Sequence, residues 1–367
     1  MNIKRDFRKI TEMLKIVTLI MLIFPPASHA SYDYEETEQM ELSAAGIKSL
    51  GIIASRCDVR ITGGDEIDII LVEVTRRVKA GSEEEARKLA EKLLVRVKEK
   101  EGVIELVTEY PGSGDQTINI FEAIFGGGRK LRMSLDITVP RSLNITFDTS
   151  SGDIEVNNIA ADVGVSTASG DLEARSIEGK LVARTASGDT EVKDIGALAV
   201  ETASGDVSAE RVRNGCIISV ASGDVELKDI EGGAVVKTIS GDVEVERVGG
   251  SLEISVTSGD VEITDATGDV KAFTASGDLY VEAAPVEGPR EYKLGTSGGD
   301  LTLIFSRVLS EGFALKAGTT TGDFELELPI QISGMSRQRV SGIVREGKSR
   351  VLIETSSGDI TIKEKGV

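Results

Sequence analysis

From Asp153 onward the chain repeats one pattern of apolar and polar positions. In "DVELKDIEGGAVVKTISG" from Asp224 and "DVEVERVGGSLEISVTSG" from Asp242, apolar residues fall 1, 3 and 6 positions after the aspartate, then 10, 12 and often 15. These intervals divide each 18-residue unit into two nine-residue halves. A spacing of two sets alternate side chains on one face of a strand, so each half predicts a short strand and a corner. The Gly-Asp pair recurs with its aspartate at Asp153, Asp171, Asp189, Asp206, Asp224, Asp242, Asp260 and Asp278, always 18 apart except for one step of 17. Asp300, Asp323 and Asp359 follow at steps of 22, 23 and 36, the last equal to two periods. The Gly of "SGD" closes one half, and Gly179, Gly232 or Gly250 sits near the other corner, where a tight turn favours positive φ.

Repetition of the same residues at a fixed period predicts coils stacked in parallel about 4.8 Å apart, an all-β parallel β-helix or β-solenoid. Antiparallel hairpins would vary their turn chemistry from one turn to the next. A hexapeptide solenoid would place an inward apolar residue every six positions, which the two-fold nonapeptide pattern does not do. The calcium-binding nonapeptide roll carries Gly-Gly-x-Gly-x-Asp at both corners of every coil, whereas only one corner carries Asp in this chain. Handedness is not encoded in the pattern.

Outside the regular repeat, residues 31 to 81 alternate in the same way around "GGD" at Gly63 to Asp65 and predict irregular first rungs. One amphipathic helix is predicted near residues 83–97, opened by a capping box of Ser82 and Glu85 and carrying Ala86, Leu89, Ala90, Leu93, Leu94 and Val97. It would cover an end or side of the stack, the alternative being a partner-binding helix. Residues 111 to 130 hold Phe121 and Phe125 between Gly-rich stretches and predict a mobile excursion. Gly126 to Gly128 before Arg129 lack the Gly-Lys-Ser/Thr of a phosphate loop. The chain therefore divides into a signal peptide at 1–30, irregular rungs with the helix and Gly-rich loop at 31–130, and the regular solenoid at 131–367.

The signal peptide is read from a basic start (Lys4, Arg5, Arg8, Lys9, Lys15), an apolar run from Ile16 to Phe24, and Ser28-His29-Ala30 as a small-x-small site cleaved after Ala30. That run is too short for the ~20 residues that span a bilayer, so no transmembrane segment is expected after cleavage. The location implied is the periplasm, the cell surface or the medium. The chain is already acidic, at a formal charge of -19, and the leader carries five basic against two acidic residues, so its removal makes the remainder more acidic still. Such a chain repels nucleic acid and anionic membrane. Cleavage also removes the single histidine, His29, and with it the commonest general base and metal ligand. Cys57 and Cys216 fall in separate rungs, and Cys216 occupies a position otherwise held by Val, Leu or Ala, which makes it a small buried hydrophobe. The absence of Trp and an aromatic content of 4% suit thin stacked layers filled by small and β-branched side chains.

"VPRSLNITFDTSSGDIEVNNI", the serial "TASGDLEARSIEG" units and the closing "VLIETSSGDITIKEK" resemble a large family of exported bacterial β-strand-repeat proteins described as candidate adhesins, a domain of otherwise unknown function. The resemblance covers residues 40 to 367. It implies a β-helix, export and a link to adhesion or envelope stress, and it carries no catalytic residues across.

Stacking brings Asp153, Asp171, Asp189, Asp206, Asp224, Asp242, Asp260 and Asp278 into a column, where carboxylates ~5 Å apart repel by about 0.8 kcal/mol even at the dielectric of water. Hydrogen bonds from turn N–H groups or from the adjoining serine hydroxyls (Ser151, Ser169, Ser187, Ser204, Ser222, Ser240, Ser258, Ser276) would offset this. The alternative is a row of weakly held Ca²⁺ ions, since one Asp per corner supplies few of the oxygens calcium needs. No other cofactor is implied. A catalytic centre needs one distinct constellation, and periodicity produces a uniform surface, so a glycan-cleaving enzyme is the less favoured reading. A non-enzymatic module that binds an envelope protein or glycan fits better, with a structural or envelope-stress role as its rival. The segment 331 to 350, with Arg337, Arg339, Arg345, Lys348 and Arg350, reads as a solvated rung face or an acidic-glycan contact. Ice binding through a threonine column (Thr167, Thr185, Thr202, Thr238, Thr274) is the least favoured reading, because Val220 and Val256 interrupt it.

Overall fold

The computed structural model describes residues 18–23, 32–110, 130–284, 288–306 and 312–365. The expected mobile excursion, with Phe121, Phe125 and the glycine triplet, lies outside them, as does most of the expected leader. Within the expected leader, Thr18–Ile23 runs as a strand antiparallel to residues 34–39. Among the described residues no helix is long and apolar enough to cross a membrane. The chain forms two compact units, Met1–Gly179 and Lys180–Val367.

The first unit joins an antiparallel ribbon to parallel rungs. Strand Tyr32–Ser43 pairs along its whole length with Ile69–Ala80, which pairs in turn with Lys130–Pro140. The rungs are parallel: Cys57–Gly64 lies between Lys130–Pro140 and Ile154–Ile159, and Ser49–Ala54 lies between Val103–Glu109 and Asn144–Thr149. Each buries alternate residues, as in Cys57, Val59 and Ile61.

The helix α1 is Glu83–Ala90, shorter than expected. Its start is as read, with Ser82 Oγ accepting from the Glu85 N–H, although the Glu85 carboxylate reaches the N–H of Gly81. It packs Ala86 and Ala90 against the ribbon. Residues 94–97 belong instead to strand Leu94–Lys100, which pairs antiparallel with Val103–Glu109 through a turn at Glu101 and Gly102, both at positive φ. The two-residue alternation of "LVRVKEK" and that turn favour a hairpin over further helix. Arg76, only 6% exposed, ties helix to ribbon: its guanidinium donates to the Leu93 carbonyl at 2.7 Å and to the carboxylates of Glu36 and Glu38 at 3.1 and 2.7 Å.

The second unit is built of coils of two strands each. Val225–Ile230 stacks in register on Val243–Val248, and Ala234–Ser240 on Leu252–Ser258. Val225, Leu227, Ile230, Ala234 and Val236 are buried, as the pattern predicts. The 17-residue coil loses its residue at the corner 196–197, so Thr190 still faces Val207 and Leu198 still faces Cys216. Cys57 and Cys216 are both free, and burial pushes each thiol up to about 12.

Two expectations are corrected here. Position 14, not 15, faces the core: Thr185, Thr238 and Thr274 are buried while Ile239 at position 15 is exposed. Alternation from 10 and 12 leads to 14, and the Ala or Ile at 15 concealed it. The threonine column therefore cannot present a face to ice, and Val220 and Val256 are ordinary core substitutes in it.

The step of 36 is not two stacked periods. Strand Ser349–Ser357 inserts between Glu291–Gly298 and Phe313–Thr321, and Ile360–Glu364 inserts between Leu301–Phe305 and Phe324–Glu327. The intervening residues leave the stack as a hairpin, Gln331–Met335 with Arg339–Val344, whose second strand runs antiparallel along Phe313–Thr321. An antiparallel flap closes the parallel edge that an open stack would expose. Tyr292, Phe305 and Phe313 fill this end, Phe305 stacked on Phe313 at 4.8 Å and set edge-on to Tyr292 at 6.0 Å.

Candidate functional site

The aspartate column exists, and its chemistry is a ladder. In the second unit the main-chain N–H of Asp206 donates to the carboxylate of Asp189 at 2.9 Å, and that of Asp224 to Asp206 at 2.8 Å. Asp242, Asp260, Asp278 and Asp300 continue the series at 2.7–2.8 Å. It then follows space rather than sequence, Asp359 donating to Asp300 and Asp323 to Asp359. In the first unit Asp171 donates to Asp153, and Asp153 to Asp58.

Thus the carboxylates accept from the neighbouring rung's backbone, and one Oδ1 per rung is committed to holding the stack in register. The main-chain carbonyls are used as well, as in Val225 N–H to Asp242 O at 2.9 Å. Beside this ladder, buried threonine hydroxyls donate to the serine carbonyls, Thr202 to Ser204 at 3.2 Å and Thr274 to Ser276 at 3.3 Å. Among the described residues no cluster of three or more His, Cys, Asp or Glu has the geometry to hold a metal.

Asp58 was missed in the sequence, although "CDVRI" carries apolar residues 1 and 3 positions after its aspartate. Cys57 stands where later rungs have Gly, and the Gly152 Cα lies so close above that a Cβ there would meet the Cys57 carbonyl oxygen at 2.2 Å. The expected "GGD" rung motif is not part of the column: Asp65 pairs with Arg141 at 3.1 Å.

A second column was also missed. Five positions after Asp189, Asp206, Asp224, Asp242 and Asp260 stands a residue at φ 55–60°: Asp194, Arg211, Asp229, Arg247 and Asp265. Positive φ turns these side chains outward at the corner, and they alternate in charge. Arg211 grips Asp194 with two hydrogen bonds of 2.5 and 2.8 Å, and Arg247 grips Asp229 with two of 2.5 and 3.1 Å. Those bonds hold the carboxyls of Asp194 and Asp229 below their usual range. The column borders a groove of about 730 Å³ floored by Ile230 and Val248. Aligning the repeat at position five would have revealed the alternation.

The fold and these columns define an all-β solenoid repeat protein whose periodic polar residues are engaged in holding coil to coil. The chain belongs to the Toastrack DUF4097 family, whose pattern matches residues 47–197 and again 190–363. Among solved structures it is similar to a candidate cell adhesion protein of Clostridium sporogenes, at 12% identity over 90% of this chain and 100% of that one, TM-score 0.23. It is similar also to candidate adhesins of Bacteroides fragilis, 12% identical over 92% and 98% with TM-score 0.26, and Parabacteroides merdae, 9% identical over 90% and 95% with TM-score 0.25. No protein of curated function matches the chain.

Proposed function

We propose that the protein is an exported, non-enzymatic binding module of the cell envelope or surface, adhesin-like in role. The observation that carries this reading is where chemical variety resides. The aspartates and threonines repeat because each rung needs them, so they form no distinct catalytic group. The outward side chains of the second strand of each coil, by contrast, are free to vary, and there Ile217, Ile239 and Phe273 stand 61, 58 and 44% exposed. Large apolar groups held in water on a sheet face fit contact with a ligand. The test is protease treatment of intact cells, followed by retention of the purified chain on cell-surface polysaccharide and envelope protein. Cleavage of the chain by external protease together with retention is expected. Protection inside the envelope with no retention would favour a structural or stress role and defeat this reading.

The ladder fits a structural purpose better than a cation site, because one oxygen of each carboxylate is already committed. Millimolar Ca²⁺ is expected to raise the Tm no more than matched ionic strength; a larger rise would restore the cation column. Asp224→Ala removes the acceptor for the Asp242 N–H and is expected to cost about 1 kcal/mol, the scale of an exposed hydrogen bond. Asp224→Asn keeps an Oδ1 and should recover most of that loss in urea unfolding.

A further inference from the structure

Toward the end of the second unit the outward sheet face is hollowed. One row across neighbouring strands reads Phe273, Gly295, Glu354, Gly318, Arg339, each in register with the next. At about 4.8 Å per step, three parallel and the last antiparallel, the row spans roughly 19 Å, the length of a short oligosaccharide. Neither glycine is at positive φ, so neither is demanded by the backbone; their effect is to remove two side chains from a row that otherwise projects outward. The Phe273 ring leans over the first gap, 3.2 Å from where a Gly295 Cβ would lie. The resulting trough has a volume of about 500 Å³.

Its charge is opposite in sign to that of the chain as a whole. Lys271, Lys293 and Arg339 line it against the single carboxylate of Glu354, three cations to one anion in a protein of formal charge -19. Lys271 and Lys293 also pair with Glu253 and Glu291, whereas Arg339 and Glu354 make no ion pair among the described residues. Ser297, Ser356 and Thr320 add hydroxyls along the wall.

We propose that this trough binds an acidic saccharide, a proposal that rests on the binding-module reading and names its ligand. An exposed aromatic ring beside a glycine floor accepts the flat C–H face of a sugar ring by stacking. Glu354 accepts from sugar hydroxyls, and Arg339 with the lysines takes the ligand's carboxylate or sulfate. A neutral sugar leaves Arg339 without a partner. An acidic peptide offers carboxylates but no hydroxyls for Glu354, which would repel it.

The test is an array of uronate, sialylated and sulfated oligosaccharides with neutral counterparts and a glutamate peptide, read with the full chain, the best ligand then being titrated calorimetrically. Binding to acidic saccharides is expected, at least tenfold tighter than to the neutral or peptide probes. Phe273→Ala should weaken it tenfold or more. Gly318→Val should do the same by filling the trough; a Cβ there meets nothing closer than 3.8 Å, so the strand accepts the residue and the Tm should hold. No acidic saccharide bound, or binding by either variant as tight as that of the unaltered chain, would overturn the site, and equal affinity for the peptide would overturn the ligand class. Retention on cell surfaces that survives Phe273→Ala removes the trough alone; absence of any retention by the unaltered chain removes the binding module itself.

Discussion

Gly241→Ala is expected to cost the second unit about 3–4 kcal/mol, measurable as a fall in the urea midpoint. Gly241 sits at φ +133°, where a side chain is strained whatever the space around it. A Cβ at that position would also lie 2.0 Å from the carbonyl oxygen of Gly223 in the rung below. That oxygen belongs to the backbone of a corner fixed by its own stacking, so relief requires the two rungs to part. Parting them breaks the 2.8 Å bond from Asp242 N–H to Asp224 and the 3.0 Å bond from Gly223 N–H to Ser240 O. Gly46→Ala is the control: φ is +78°, yet no atom lies within 4 Å, so only the backbone cost of about 1 kcal/mol is expected. Equal losses in the two variants would show that close approach between corners contributes nothing.

Removing the residues from Ser349 onward is expected to unfold two rungs rather than one. Strand Phe324–Glu327 pairs with Ile360–Glu364, and Phe313–Thr321 has its parallel partner in Ser349–Ser357. The deletion takes away buried Val351, Ile353, Ile360 and Ile362, worth roughly 6–12 kcal/mol at about 1.5–3 kcal/mol for each buried aliphatic side chain. It also uncovers Tyr292, Phe305 and Phe313. Hydrogen exchange should show the amides of 313–327 losing protection while those of 225–263 keep it. Were the rungs stacked in chain order, 313–327 would remain protected after the deletion, and that result would sink the inserted-rung topology. The exposed parallel edge and aromatic residues should also make the truncated chain aggregate.

The regular coils were legible because their pattern is local. Val225, Leu227, Ile230, Ala234 and Val236 are spaced as a strand and corner demand, and Cys216 fell into the core because its repeat position is apolar. Reading stopped where one position carried two meanings. Thr238 is polar by composition but interior by alternation; its hydroxyl is satisfied by the Ser240 carbonyl at 3.4 Å, a partner that only the folded corner supplies. Val97 satisfied helical spacing from Leu93 and strand alternation with Val95 alike, and the turn at Glu101 and Gly102 decided between them. The alternation of Asp194, Arg211, Asp229, Arg247 and Asp265 was present in the sequence, but its meaning depends on a positive φ that brings the column to the surface.

The sequence by itself determined the coil: its period, which side chains enter the core, and the corner that glycine must turn, all set by alternation and sterics within some 18 residues. Tertiary structure alone decided which rung lies on which. Asp58 joins Asp153 across 95 residues, and the last rung enters between two earlier ones because pairing needs complementary edges and not chain order. It also decided that Phe273, Gly295, Glu354, Gly318 and Arg339 share one row. These residues are drawn from five separate strands, and only the register of those strands makes them neighbours.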